Sequence, residues 1–473
     1  MTPCNEEQLR FPGVGRRSVV ADFDAGDVTT DAGALLLGVA ARGLGLFGLA
    51  ADCVGDHRDP ELVEHSVEEL IAQRVLALCA GYEDLNDHAT LRDDVAFAAA
   101  VGKADPTGQD RGRSDHRGTA LASPATLNRL ENAPLELDSK RADLKLVHDT
   151  DAWKALFVDL FLDQTEETPE EIWLDLDATD IPLHGAQEGR FFHGYYDCYC
   201  YLPLYIFCGH HLLVAKQRRS NIDAAAGALE EVQRLVDHIR GRWPEVRIVL
   251  RADSGFARDE LMTWCERQTG VDYLFGLARN SRLEGEAKPL FEEIECRADE
   301  DEPPRRLYDE FEYRTKKSWS RSRRVVVKAE MLGEKKNPRF LVTSLSPEWA
   351  DAQTLYRDHY CPRGDAENRI KEQFELFADR ASAHSMRANQ VRLWLSSLAY
   401  VLMQAVRRIG LAGTDMENAQ PKSIRLRLLK LGALVTVSVR RVRLRLSSTF
   451  PRQTLFRQVL ANLYGHFPFL APG

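Results

Sequence analysis

Between Glu171 and Ala278 the hydrophobic pattern switches repeatedly between period 2 and period 3.6, and the order of those switches leaves few folds open. In "EIWLDLDATD" (171–180), Ile172, Leu174 and Leu176 fall on one side and Trp173, Asp175 and Asp177 on the other, which predicts a strand with one buried face. "CYCYLPLYIFC" (198–208) reads as a second strand, Gly209 as a turn and "HLLVAK" (211–216) as a third strand. A helix is expected from Ile222 to Arg242, where Ala225, Leu229, Val232, Val236 and Ile239 share a face. "VRIVLRAD" (246–253) predicts a fourth strand, "RDELMTWCERQ" (258–268) a helix, and "DYLFGLA" (272–278) a fifth strand.

The next strong amphipathic helix comes only after an interruption, in "YCPRGDAENRIKEQFE" (360–375). Pro362 is tolerated in a first helical turn, so a helix is expected to start near it. Ala366, Ile370, Phe374 and Phe377 line its apolar face, while Arg363, Glu367 and Lys371 run along the edge. Asn368, Arg369 and Glu372 are expected to face solvent. Three strands, helix, strand, helix, strand, then helix is the order of a ribonuclease-H-like fold. The class expected is therefore α/β: a ribonuclease-H-like mixed sheet flanked by helices, with a β-rich insertion and helical N- and C-terminal regions.

The expected organisation is a mainly helical region over 1–168, serving DNA binding or dimerisation, and the first part of the core over 169–284. A β-rich insertion (285–349), the helix carrying a third acid (350–384) and a basic, helical C-terminal region (385–473) follow. Within that last span "VTVSVRRVRLRL" (435–446) alternates with period 2 and reads equally as a hairpin. "SPATLNRLEN" (123–132) opens on a helix-start signal and fits the second helix of a helix-turn-helix.

In this strand order Asp177 ends the first strand and Asp253 the fourth, and those two strands are neighbours. Glu367, on the helix that packs against the sheet, reaches both. Three gathered carboxylates repel one another unless cations neutralise them, and all-oxygen ligands suit Mg²⁺ or Mn²⁺. Two such ions, about 4 Å apart, serve in-line attack on a phosphodiester without a histidine base. Asp175 and Asp180 compete with Asp177 for the first position, and Asp253 alone would pass for a helix cap. Arg363 and Lys371, above and below Glu367, are expected to meet DNA phosphates. The plainer alternative is an exposed i, i+4 charge ladder worth a few tenths of a kcal/mol per pair, roughly. Cys198, Cys200, His210 and His211 do not have the spacing of a structural zinc site.

The chain has 473 residues, enough for two to four domains, and a net charge of −10. That average hides segregation. From Arg314 to Lys328 there are seven Lys or Arg and no acid, and from Lys422 to Arg457 ten basic residues and no acid. The first block, with Lys316, Lys317 and Arg321, suits phosphates, and Trp319 within it suits stacking on a displaced base. The longest apolar stretch (33–51) contains Arg42 and five glycines, so no membrane span is expected. No secretory signal pattern opens the sequence, and nine scattered cysteines without a C-x-x-C pair suit a reducing, bacterial-style cytoplasm.

Five ordered motifs carry a resemblance: "LDLDATD" (174–180), "FFHGYYDCYCYLPLYIFCG" (191–209), "RADSGF" (251–256), "VDYLFGLARN" (271–280) and "YCPRGDAENRIKE" (360–372). In these the chain resembles the DDE transposases of bacterial insertion sequences, in the branch described as transposase DDE domain group 1, nearly end to end. The resemblance implies that Asp177, Asp253 and Glu367 are the acidic triad, and that Tyr360 and Arg363 belong to the Y-x-x-R-x-x-x-E signature. The broader group carries a lysine seven positions after the glutamate; here Phe374 stands there, and Lys371 is the nearest lysine. It implies a β-rich insertion before the third acid, two Mg²⁺ or Mn²⁺ ions, binding of terminal inverted repeats and target DNA, and a homodimer in a synaptic complex. Cut-and-paste transposition follows from it, with a DNA hairpin route that Trp319 would serve. Two rivals remain: a non-catalytic DNA-binding relative, and a two-carboxylate glycosidase, which has no use for two acid-free basic blocks.

Overall fold

The computed structural model describes residues 8–134, 145–297 and 305–472. The parts of the expected N-terminal region and insertion at 1–7, 135–144 and 298–304, with Gly473, lie outside the described residues. The chain divides into two compact units, one of 52–55 with 131–401, the other of 1–51 with 56–130 and 402–473.

The first unit is built on a mixed sheet. Its strands β1 (Glu171–Ala178), β2 (Leu204–Cys208), β3 (His211–Lys216), β4 (Arg247–Ala252) and β5 (Val271–Leu277) lie in the order β3-β2-β1-β4-β5. β2 is antiparallel to β1 and β3, whereas β4 is parallel to β1 and β5 to β4. This is the ribonuclease-H-like core expected from the element order. Helices α1 (Ala228–Arg242), α2 (Asp259–Cys265) and α3 (Ser281–Cys296) connect and cover the strands. Ile172, Leu174 and Leu176 join Val232, Val236 and Ile239 of α1 in one buried cluster. Trp173, on the other face of β1, packs with Val249, Leu274 and Tyr356. The period-2 pattern of β1 is thus spent on two different cores.

Four local expectations change. The segment 198–208 is two strands, because Cys198–Tyr201 pairs within a small separate sheet and only Leu204–Cys208 joins the main one. Pro203, which has no N–H for the ladder, stands between them. The helix expected from Ile222 begins at Ala228, after Gly227 at φ 73°. Before it the Arg218 guanidinium gathers the carbonyls of Leu202, Ala224 and Ala226, which ties residues 224–226 into turns. The insertion opens with α3, whose Leu283, Ala287, Phe291 and Ile294 are buried. Its strands β6 (Arg306–Tyr313), β7 (Arg323–Leu332) and β8 (Arg339–Thr343) extend the main sheet, with β8 antiparallel to β5. β5 would otherwise offer an unpaired edge.

A short helical turn at Ala352–Thr354, a π-helical turn at Leu355–Tyr360 and a 3₁₀ turn at Cys361–Arg363 lead into α4 (Gly364–Phe374). Here lies the fourth change: Glu372 is not solvent-facing but only 4% exposed, held by Arg369 at 3.1 Å. Helix α5 (Met386–Ala405) is tied to the end of β3 by Gln390, whose amide bonds Ala215 and Gln217.

In the second unit Ser66 and Glu69 form a reciprocal cap on the helix Val67–Ala80, and Gly81 ends it in the left-handed conformation. The helix Ala34–Gly43 packs closely on Val95–Val101: a Cβ on Gly38 would stand 2.5 Å from the Ala100 carbonyl. The period-2 stretch near the C-terminus is a hairpin of β9 (Ala433–Ser438) and β10 (Arg441–Leu446). β9 also pairs with Val28–Thr29. A second hairpin, Leu9–Val14 with Arg17–Ala21, is exposed along its length, so the N-terminal region is not wholly helical.

Candidate active site

Register places the first two acids. Ala252 of β4 lies opposite Leu176 of β1 in a parallel pair, so Asp177, the next residue of β1, and Asp253, the first residue after β4, lie at the same carboxyl edge of the sheet. In open α/β sheets that edge is where ligands bind. Asp253 also accepts a hydrogen bond from Gly255 N at 2.8 Å, so its role as a local cap coexists with its position at the edge. Asp177 accepts from Ala178 N at 2.8 Å. Helix α4 packs on β1 and carries Glu367.

The electrostatics tie these groups together. Burial pushes the Asp177 carboxyl up to about 7; Arg363 opposes the rise, and the charges of Asp253 and Glu367 add to it. Arg363 stands among them, with Nη2 2.7 Å from Glu367 Oε1 and Nη1 4.0 Å from Asp177 Oδ2. Burial works against the Arg363 charge, but Tyr360, Asp177 and Glu367 more than offset it and raise its pKa. The guanidinium therefore serves as counter-charge to two acids. The i, i+4 ladder is real in its first rung only.

Asp175 is taken out of contention by its partner. It is buried and held bidentate by Arg251, at 2.5 and 2.8 Å, and the same guanidinium bonds the His359 carbonyl. Asp180 lies beyond the strand, with Cys198 Sγ 4.0 Å from it.

The three carboxylates offer the hard oxygen donors that Mg²⁺ or Mn²⁺ prefers. As the side chains stand, no three His, Cys, Asp or Glu residues among those described are close enough together to chelate an ion. Glu367, 48% exposed, is turned onto Arg363. The residues fit the ions in chemistry, and Asp177, Asp253 and Glu367 are the ones that would hold them.

Tyr360 lies beside this group. A Cβ on Gly276 of β5 would stand 2.6 Å from the Tyr360 hydroxyl and 3.0 Å from Ser254 N, so only glycine lets the ring reach this place. Burial raises the Tyr360 pKa, with Arg363 opposing and Asp253 adding. A cleft of about 550 Å³ opens here, lined by Asp253, Arg279, Lys328, Arg339 and Tyr360 among others. Lys371 is exposed on α4.

The basic loop after β6 behaves differently from expectation. Lys316 and Lys317 are exposed, and Arg321 pairs with Glu266 at 3.1 Å. Trp319 is only 5% exposed, edge-on to Tyr313 and under the Arg323 guanidinium. It is a core residue and offers no face to a displaced base, which corrects its expected role. Among the described residues no hydrogen bond, ion pair or ring contact joins Trp319, Lys316, Lys317 or Arg321 to Asp177, Asp253 or Glu367.

One residue near the acids was missed. Tyr196, in the turn before Cys198, has its hydroxyl pushed up to about 12 by burial, then by Asp180, Asp177, Tyr195 and Asp253. The only signal was the tyrosine pair of "HGYYDC" between two strands, one of which follows Asp177.

Fold and site together define the class: a ribonuclease-H-like protein with acids at the carboxyl edge of its sheet. The family described as Transposase DDE domain group 1 matches residues 11–466. The chain belongs to that family, and its function is that of a DNA transposase. No curated protein matches it. Among solved structures, a piggyBac transposase synaptic complex with hairpin DNA is similar over 94% of this chain and 87% of that one, at 11% identity and a TM-score of 0.38. No described helix is long and apolar enough to cross a membrane.

Proposed function

We propose that the chain hydrolyses phosphodiesters at the ends of an insertion element and transfers the freed 3′-hydroxyl into target DNA, with Asp177, Asp253 and Glu367 holding two Mg²⁺ or Mn²⁺ ions. The observation that supports the reading is the register of β1 and β4, in which Leu176 and Ala252, the residues before Asp177 and Asp253, lie opposite each other. When bound, the metals supply a lowered pKa at the attacking oxygen and positive charge at the leaving one. The protein's part is to orient. Asp177 and Asp253 stand on rigid strand ends, and Glu367 turns inward from its rest on Arg363. Arg363, released by that turn, becomes a donor for a non-bridging phosphate oxygen, with Tyr360 packed beneath it and Lys371 one helical turn beyond Glu367. Terminal inverted repeats and target DNA are the substrates, and a homodimer joins two ends in a synaptic complex, in a bacterial cytoplasm.

The test is nicking and joining of a plasmid carrying the element's ends, in Mg²⁺ or Mn²⁺. Asp177→Asn, Asp253→Asn and Glu367→Gln are each expected to lower cleavage by about a thousandfold or more with DNA binding intact. The Arg363–Glu367 pair favours one other reading, a DNA-binding relative that does not cut. Wild-type protein that binds the ends and never cuts with either metal would establish that reading instead.

A further inference from the structure

The β9–β10 hairpin has two unlike faces. Register pairs Ser438 with Arg441, Thr436 with Arg443 and Leu434 with Arg445, so the three arginines fall on one face. Alternate residues of a strand are spaced by about 7 Å, which makes this a regular row. The other face is apolar and anchored: Leu444 packs on Ala32, Leu431 and Ala433. β9 is pinned further by its pairing with Val28–Thr29. Arg440 sits in the connecting turn, and all four guanidinium groups are exposed. Among the described residues none of the four guanidinium groups makes an ion pair or a hydrogen bond. No acid occurs in the sequence after Glu417.

We propose that this arginine face binds the phosphodiester backbone of duplex DNA. On a chain of net charge −10, a merely solvated strand face would carry both signs; this one carries a single sign. It uses arginine throughout, whose planar fork matches phosphate oxygens where lysine gives a point charge. A two-stranded ribbon also has the width to lie in or along the major groove. The proposal rests on the transposase reading for its choice of DNA as partner, but none of its residues belongs to the acidic site.

The test is a salt titration of full-length protein on two labelled duplexes of equal length, one carrying the element's end and one unrelated. The variant Arg440→Gln/Arg441→Gln/Arg443→Gln/Arg445→Gln is expected to flatten the slope of log K against log[salt] by about 3 to 4 on both duplexes, at about 0.9 per phosphate contact. Affinity at a fixed salt near 0.15 M is expected to fall by roughly tenfold or more on both. The matching four-lysine variant should restore the slope, and Arg443→Gln alone should change it by about one, so a misfolded quadruple variant leaves the idea testable. An unchanged slope in protein that binds DNA overturns the hairpin proposal and leaves the transposase reading standing. Loss on the element duplex alone overturns backbone contact in favour of base reading. Dissociation of an oligomer with an unchanged slope assigns the face to a second copy and overturns the proposal. Wild-type protein that binds neither duplex overturns both.

Discussion

Asp175 and Asp177 lie two residues apart on one face of β1 and are put to opposite uses. Asp175 is neutralised by Arg251, so Asp175→Asn leaves a buried guanidinium without its charge partner. It is expected to cost about 3–5 kcal/mol, read as a lower denaturant midpoint. Asp177 has no such partner at hydrogen-bond distance, and like charges press on it. Asp177→Asn is expected to stabilise the metal-free protein by about 1–3 kcal/mol at neutral pH while abolishing the thermal shift produced by Mn²⁺. A wild-type melting curve that Mn²⁺ does not move would remove the metal from this site. His88 allows a separate pH prediction. Burial, then Arg74, pushes its pKa down to about 3, and its Nδ1 lies 3.0 Å from Gln73 Nε2. Below about pH 6.5 the unfolded state binds a proton that the folded state refuses, so stability is complete above that pH and falls as pH drops toward 3. His88 is expected to contribute about 1.4 kcal/mol per pH unit to that slope, a contribution lost in His88→Gln. Equal slopes in the two proteins would sink the assignment.

At the scale of elements, β5 is shaped by what crosses it. Gly276 is invisible as a site residue in "DYLFGLA", where it reads as a weak point in a strand. Only the packing of the π-helical turn at Leu355–Tyr360 shows that the Tyr360 ring needs the missing side chain. Gly276→Val is expected to destabilise by about 1–3 kcal/mol through overpacking, and to lower cleavage further than stability alone explains by displacing Tyr360 from Asp253. Cleavage of wild-type strength in a folded Gly276→Val protein would show that Tyr360 has no part in the reaction. The helix α4 teaches the complementary lesson. Its apolar stripe was legible at Ala366 and Ile370, but Glu372 and Gln373 are buried as well, because Phe377 turns the chain left-handed (φ 68°) and α5 returns over α4, Ser396 bonding the Leu376 carbonyl.

Across the whole molecule, the two ends of the chain meet in one unit. Lys430 Nζ lies 2.6 Å from the buried Asp31 and 4.1 Å from the Tyr82 ring centroid, and Tyr82 donates to the same carboxylate at 2.8 Å. Lys430→Met would leave the Asp31 charge without its cation, at a cost of about 3 kcal/mol. In calorimetry it is expected to lower the transition of the unit formed by 1–51, 56–130 and 402–473. A thermogram identical to wild type would show that the Tyr82 and Thr30 hydroxyls suffice for Asp31.

The sequence by itself determined the chain order of the core elements β1, β2, β3, α1, β4, α2 and β5, the placement of Asp177 and Asp253 near two strand ends, and the acid-free character of the C-terminal segment. These are local properties: a strand's period, a residue's place in it and a run of charge do not depend on what packs nearby. Only the tertiary structure decided that Arg251 claims Asp175, that Arg363 faces acids instead of solvent, that Trp319 belongs to the core, and that Tyr196 stands near the carboxylates. Each of these rests on a contact between residues far apart in the chain or on the burial of a group whose neighbours are charged. Periodicity says which way a side chain points, and long-range packing says what it meets there.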